Sequence, residues 1–227
     1  MKHIVTAFIY TGILIFCNSS DKTKKAIQKS SDTEIVANNP SNKSKKQLKA
    51  IDTDKALIAT ALMAAPKESR SRCKVIGYNM AGEFVTLREG DNEFIVLADN
   101  PKQDGFSAVY YHKDLEPFMA RGRVLRAEGK TEQEVFAIRG EEMESGKLKI
   151  TTGSTLCVYY GAKKFYDPET SKVGGAILRY LVYMPWATSE STGLPKDPVA
   201  SNHPWIMNPG THKAHIMISP LSEEEPK

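Results

Sequence analysis

The chain predicts an α+β fold: one domain with a mainly antiparallel β-sheet, an N-terminal helix and an inserted helix pair. Three observations predict it. Short β-prone apolar runs punctuated by turn residues fill the stretch from Val75 to Tyr111 and return in the last third, the period shifts to about 3.6 between Asp114 and Gly146, and βαβ alternation and internal repeats are both missing.

The elements follow in order. Thr53 to Ala65 reads as a helix, capped by Asp52 or Thr53, with Leu57, Ile58, Ala61, Leu62 and Ala65 on one side and Pro66 as its stop. Val75 to Tyr78, Phe84 to Arg88 and Phe94 to Ala98 are short β-prone runs separated by turn residues, which reads as an antiparallel meander. A strand from Ser107 to Tyr111 follows. Asp114 is placed to cap a helix carrying Leu115, Phe118, Met119, Gly122 and Leu125, with Pro117 tolerated in its first turn. Thr131-Glu132-Gln133-Glu134 is a capping-box pattern that opens a second helix ending near Gly146. The last third returns to strands at Leu148 to Ile150, Thr155 to Tyr160, Leu178 to Tyr183 and Ile216 to Ser219, and Asp167-Pro168-Glu169-Thr170 reads as a loop tip.

The first 17 residues set an address. A short basic start, an apolar run from Ile4 to Phe16 and then Cys17 match an export signal, and the run is shorter than the roughly 20 residues that span a bilayer. Leu14-Ile15-Phe16-Cys17 resembles the lipobox of bacterial lipoproteins, in which the Cys is diacylated and becomes the mature N-terminus. Phe16 departs from the small residue usual there. Ordinary cleavage after Ser19 and an uncleaved anchor are the alternatives. Each places the domain outside the cytoplasm; the lipoprotein reading expects it in the cell envelope, facing the periplasm or the exterior, with the membrane as its partner through Cys17.

Residues 18–50 hold eight Lys against Asp21, Asp32 and Glu34 and have no aromatic residue, so they read as a disordered, polar, Lys-rich tether. From Ile51 onward there are 22 Lys plus Arg and 24 Asp plus Glu. The net charge of +4 therefore belongs to the N-terminal segment, which removes the case for nucleic-acid binding. Residues 51–220 form the α+β domain and residues 221–227 an acidic tail.

Chemistry is sparse. P-loop, G-x-G-x-x-G, H-E-x-x-H and C-x-x-C motifs are all missing, so no cofactor is expected. Cys73 and Cys157 flank or enter apolar strands and are a possible disulfide in an exported protein. His203, His212 and His215 lie within 13 positions, and with His112 they are weak candidates for a metal or acid/base site, to which Asp99 or Glu116 could be added by folding. A strand through His215 sets alternate side chains on opposite faces, so such a site needs a turn at Thr211 to Lys213. Ser189 and Ser191 precede a Gly-Leu-Pro turn without the G-x-S-x-G elbow of a hydrolase. Arg121, Arg123 and Arg126 suggest an anion site until Glu132, Glu134, Glu141, Glu142 and Glu144 are counted; mutual compensation is the simpler expectation. The aromatics from Tyr159 to Tyr166 and at Tyr180, Tyr183 and Trp186 read as sheet core rather than a stacking platform.

Several blocks carry a resemblance. Leu97-Ala98-Asp99-Asn100-Pro101, His112-Lys113-Asp114-Leu115-Glu116-Pro117-Phe118-Met119-Ala120-Arg121-Gly122, Ser191-Thr192-Gly193-Leu194-Pro195, and Pro204-Trp205-Ile206-Met207 through Pro209-Gly210-Thr211 to Ala214-His215-Ile216-Met217 look like a family of exported bacterial proteins without an assigned activity. The likeness runs from about Leu57 to Pro220 and implies export but no reaction. Some members of that family carry Cys in the meander region where this chain has residues such as Val96 and Tyr110, a departure that weakens any disulfide carried over by the resemblance. The function expected is a non-catalytic binding or structural module, recognising an envelope protein or a small ligand. The alternative is a periplasmic hydrolase or metal-dependent enzyme built on the C-terminal histidines.

Overall fold

The computed structural model of the protein describes residues 47–200 and 202–219. Cys17, most of the polar tether and the acidic tail lie outside them. The fold is the α+β arrangement expected, built on an eight-stranded sheet with helices on both faces. Its strands are β2 (Lys74–Tyr78), β3 (Phe84–Arg88), β4 (Phe94–Leu97), β5 (Phe106–His112), β6 (Thr155–Gly161), β8 (Ile177–Tyr183), β9 (Trp205–Met207) and β10 (His215–Ile218). They are ordered β3-β2-β4-β5-β6-β8-β10-β9. A two-stranded ribbon pairs β1 (Lys49–Ala50) with β7 (Phe165–Tyr166). Lys49 and Ala50 therefore belong to the fold, which starts ahead of the expected boundary at Ile51.

The expected antiparallel meander is corrected at one place. β2 pairs antiparallel with β3 but parallel with β4. After β3 the chain doubles back over the start of β2, where the N–H groups of Asp91 and Asn92 donate to the Arg72 carbonyl at 3.0 and 3.3 Å. Gly90 allows the crossing, because a β-carbon there would overlap the backbone of Cys73 and Lys74. β4 thus emerges on the far edge of β2, pointing the same way.

The helices α1 (Asp54–Ala61), α2 (Glu116–Ala127), α3 (Glu132–Glu144) and the short α4 (Ser189–Thr192) are positioned by local chemistry. Thr53 caps α1, its hydroxyl accepting from the Ala56 N–H, and the predicted last turn to Ala65 is a 3-10 turn at Leu62–Ala64. Thr131 and Glu134 close a complete capping box on α3. Asp114 does not cap α2. A 3-10 turn at Lys113–Leu115 precedes that helix, and the His112 ring accepts from the Asp114 N–H instead. Leu148 to Ile150, expected as a strand, is a loop segment, because the Leu148 N–H is spent on the Glu142 carbonyl at the end of α3.

Register divides the sheet into two faces. Val75, Val96, Ala108 and Tyr159 are buried on one, against Leu57 and Ala61 of α1. Tyr111, Leu156, Leu181 and Met217 are buried on the other, with Leu115 and Phe118 from the α2 region. The arginines of α2 are compensated as expected. Arg121 pairs with Glu142 at 2.8 Å, Arg126 with Glu132, and Arg123 with Glu116 on its own helix. Arg121 and Arg126 thereby tie α2 to α3.

Candidate functional site

The structure separates the four histidines. His112 lies on the α1 face of the sheet, edge-on to Phe94 and beside Glu93 and Asp114. His215 pairs across β10 with Tyr183, and that register places it on the opposite face. His203 is exposed in the loop before β9. Among the described residues, no group of three His, Cys, Asp or Glu side chains could hold a metal ion.

His212 and His215 remain in the same region, and both are sealed. His212 lies 4.6 Å from Phe136 and 6.2 Å from Phe118, ring centre to ring centre, and Trp186 closes a further side at 6.4 Å. The Nδ1–H of His215 donates to the Lys213 carbonyl at 2.8 Å, and the Nε2 atoms of both rings are buried without a hydrogen-bond partner. Burial, reinforced by the charges of Arg139 and Lys213, pushes the His212 pKa down to about 4; burial lowers that of His215 as well. These are neutral core imidazoles at neutral pH. The turn at Thr211 to Lys213 exists, with the Ala214 N–H donating to the Thr211 carbonyl, but it buries His212 under α3 instead of presenting it to solvent.

The serines do not assemble a hydrolase. Ser191 completes a capping box with Thr188 at the start of α4, and its hydroxyl accepts from the Thr188 N–H at 2.9 Å. The cysteines stay apart too: both thiols are free and buried. Val75, Val96, Tyr110 and Cys157 stand in one cross-strand row, so three strand spacings, about 14 Å, separate Cys157 from the β2 strand that follows Cys73. That exceeds the roughly 7 Å Cα separation a disulfide tolerates, so the possible bridge is not formed.

The open chemistry lies elsewhere, on the α2–α3 face beyond the helices. Two hollows of about 420 and 380 Å³ meet at the exposed Ser107. The first is bounded by β4, β5 and the last turns of α2; the second lies over β6, β8 and β10. Together they form a trough across the strands. Its floor contains a single cross-strand row, Leu97, Val109, Val158 and Arg179, fixed by the β4–β5, β5–β6 and β6–β8 registers. All four side chains are half-buried.

Polar groups along the trough are held in place from behind. Asp99 is buried, its Oδ1 accepting from the Ser107 N–H at 3.0 Å and its Oδ2 lying 2.8 Å from the Lys164 ammonium. Burial raises the Asp99 pKa, and Lys164 offsets part of the rise. The Tyr111 hydroxyl donates to Glu116 at 2.6 Å, and Glu116 in turn accepts from Arg123. The Arg123 guanidinium rests 5.0 Å from the Phe84 ring centre, with its Nη1 buried and unpaired. Arg179 lies 4.9 Å from the Tyr160 ring centre; its Nε is buried without a partner, and it makes no ion pair among the described residues. An oriented cation thus ends an apolar row.

Sequence reasoning missed Arg179 and the Asp99–Lys164 pair. A signal for Arg179 was present: within Ile177–Tyr183 it has the parity of Leu181 and Tyr183, the buried set, so a cation sits on the apolar register. Nothing local links Lys164 to Asp99. No protein-family model, curated protein or solved structure matches this chain.

Proposed function

We propose that this chain is a non-catalytic ligand-binding module, exported and held at the cell-envelope membrane by a lipid on Cys17, with its ligand in the trough over β4, β5, β6 and β8. The observation that carries this reading is the trough itself: a mostly apolar hollow lying open on the sheet, with the guanidinium of Arg179, which no described carboxylate pairs, at one end. The hydrolytic alternative has less support. His212 is walled in by Phe118, Phe136 and Trp186, His215 is buried against Tyr183, and Ser191 serves in a helix cap.

A ligand-observed NMR screen of small neutral and charged fragments tests the binding claim. Ser107→Trp fills the junction of the two hollows from an exposed position, so fragments that bind the wild type are expected to lose contact with the variant. Equal binding by both proteins would reject the trough as the site. Mass spectrometry of membrane-extracted protein tests the anchor. A diacylated N-terminal Cys17 is expected, and an unmodified chain starting at Ser20 would refute it.

A further inference from the structure

We propose that the ligand class of this trough is a small single-chain carboxylate, an alkanoate-like amphiphile with its head on Arg179 and its apolar body along Val158, Val109 and Leu97. The proposal rests on reading the trough as a ligand site and adds the chemistry of what fills it.

Charge complementarity selects the head group. Guanidinium is a planar fork of donors suited to bidentate carboxylate contact. Arg179 has its two terminal Nη groups to offer: Tyr160 supports one face of the guanidinium, no hydrogen bond to another described side chain spends it, and no carboxylate among the described residues pairs with it. Asp104 borders the same hollow, but it is exposed and makes no ion pair with Arg179.

The row selects the body. Leu97, Val109 and Val158 follow Arg179 in strict cross-strand register, at about 4.8 Å per strand, so the apolar track extends about 14 Å away from the cation. A linear chain lying across the strands covers these three side chains in turn. Beyond Leu97 the track runs into the hollow bounded by Tyr78, Phe84 and α2. Each hollow falls within the roughly 300–1,000 Å³ typical of small-molecule sites. Arg123 at that end is already neutralised by Glu116, so a single anionic head is the match.

Photolabelling of the full chain in lipid nanodiscs tests this, because cross-links are read peptide by peptide and partition into lipid does not mimic them. The probes are decanoate, decan-1-ol and decylamine, each carrying the same diazirine at the far end of its chain. The decanoate probe is expected to label the β4 and β5 peptides at least tenfold more than the other two. Arg179→Met, which keeps an unbranched apolar stem, is expected to cut that labelling at least tenfold, Arg179→Lys to retain part of it, and Ser107→Trp to abolish it. Equal labelling by the alcohol overturns carboxylate recognition without requiring any variant, and unchanged labelling of a folded Arg179→Met protein does the same. Should no probe label the trough while fragments in the NMR screen still depend on Ser107, the alkanoate is wrong and the ligand trough stands. Should the fragments also fail, both fall.

Discussion

A β-carbon on Gly140 would stand 3.1 Å from Nδ1 of His212. Gly140 lies inside α3, where glycine costs roughly 1 kcal/mol relative to alanine. Its use there is explained by the ring: α3 can approach the turn before β10 this closely because nothing projects from position 140. His212 has no room to retreat, with Phe136, Phe118 and Trp186 on its other sides. Gly140→Ala therefore loses more to overpacking than it gains in helix propensity. A net loss of about 1 kcal/mol is expected in urea unfolding; a stabilised variant would show that the ring yields.

The same histidine makes stability depend on pH. Folded His212 has a pKa of about 4, and the unfolded value is about 6.5. Between these values the unfolded chain holds a proton that the folded chain refuses. Stability is complete above about pH 6.5 and is lost as pH falls towards 4, by roughly 3 kcal/mol in all. His215, lowered in the same direction, adds to the slope. Unfolding measured at half-unit steps from pH 7.5 to 4.5 should show this limb, and His212→Leu should flatten most of it. A limb of the same size in the variant would assign it to other groups.

What was legible in the sequence is what local chemistry decides. The start of α3 needs only Thr131 and Glu134, three positions apart, and the structure has both reciprocal hydrogen bonds. The arginine and glutamate balance between α2 and α3 was readable from charge order. The direction of β4 was not, because it depends on Gly90 crossing the backbone of Cys73 and on the Arg72 carbonyl, contacts between segments nearly twenty residues apart. The histidines misled for a related reason. Proximity in sequence says nothing about face, and the chain of registers from β5 to β10 sets His112 and His215 on opposite sides of one sheet. Arg179 became a site residue only when register aligned it with Val158.

The free thiols should be inert. Burial raises the pKa of Cys73 and pushes that of Cys157 up to about 11, so the nucleophilic thiolate is scarce at pH 8. Cys73 also donates its S–H to the Ser69 carbonyl at 3.1 Å. Iodoacetamide at pH 8, followed by peptide mass spectrometry, should leave both sites unmodified in the native protein and modify both in 8 M urea, in the manner expected of inaccessible thiols. Rapid native alkylation of Cys157 would contradict its placement on the sheet. A disulfide-linked Cys73 and Cys157 peptide would contradict the separation across three strands.

Arg139 is the least compensated charge in the described core. It is 5% exposed, makes no ion pair among the described residues, and has an unpaired buried Nε. Its support is a 3.3 Å hydrogen bond to the Phe118 carbonyl and the Phe118 ring, whose centre lies 4.1 Å from the guanidinium carbon. Methionine can occupy the same path over the ring without the cost of a buried cation, and it leaves the Phe118 carbonyl in its helix. Arg139→Met is therefore expected to preserve stability or add about 1 kcal/mol at pH 7. It also removes the positive charge that helps depress His212, so the folded pKa of that ring rises towards its ordinary value and the acid limb becomes smaller. Both effects are read in one series of urea titrations against pH. A loss above about 2 kcal/mol with an unshifted limb would mean that Arg139 is required for packing and is electrostatically silent towards His212.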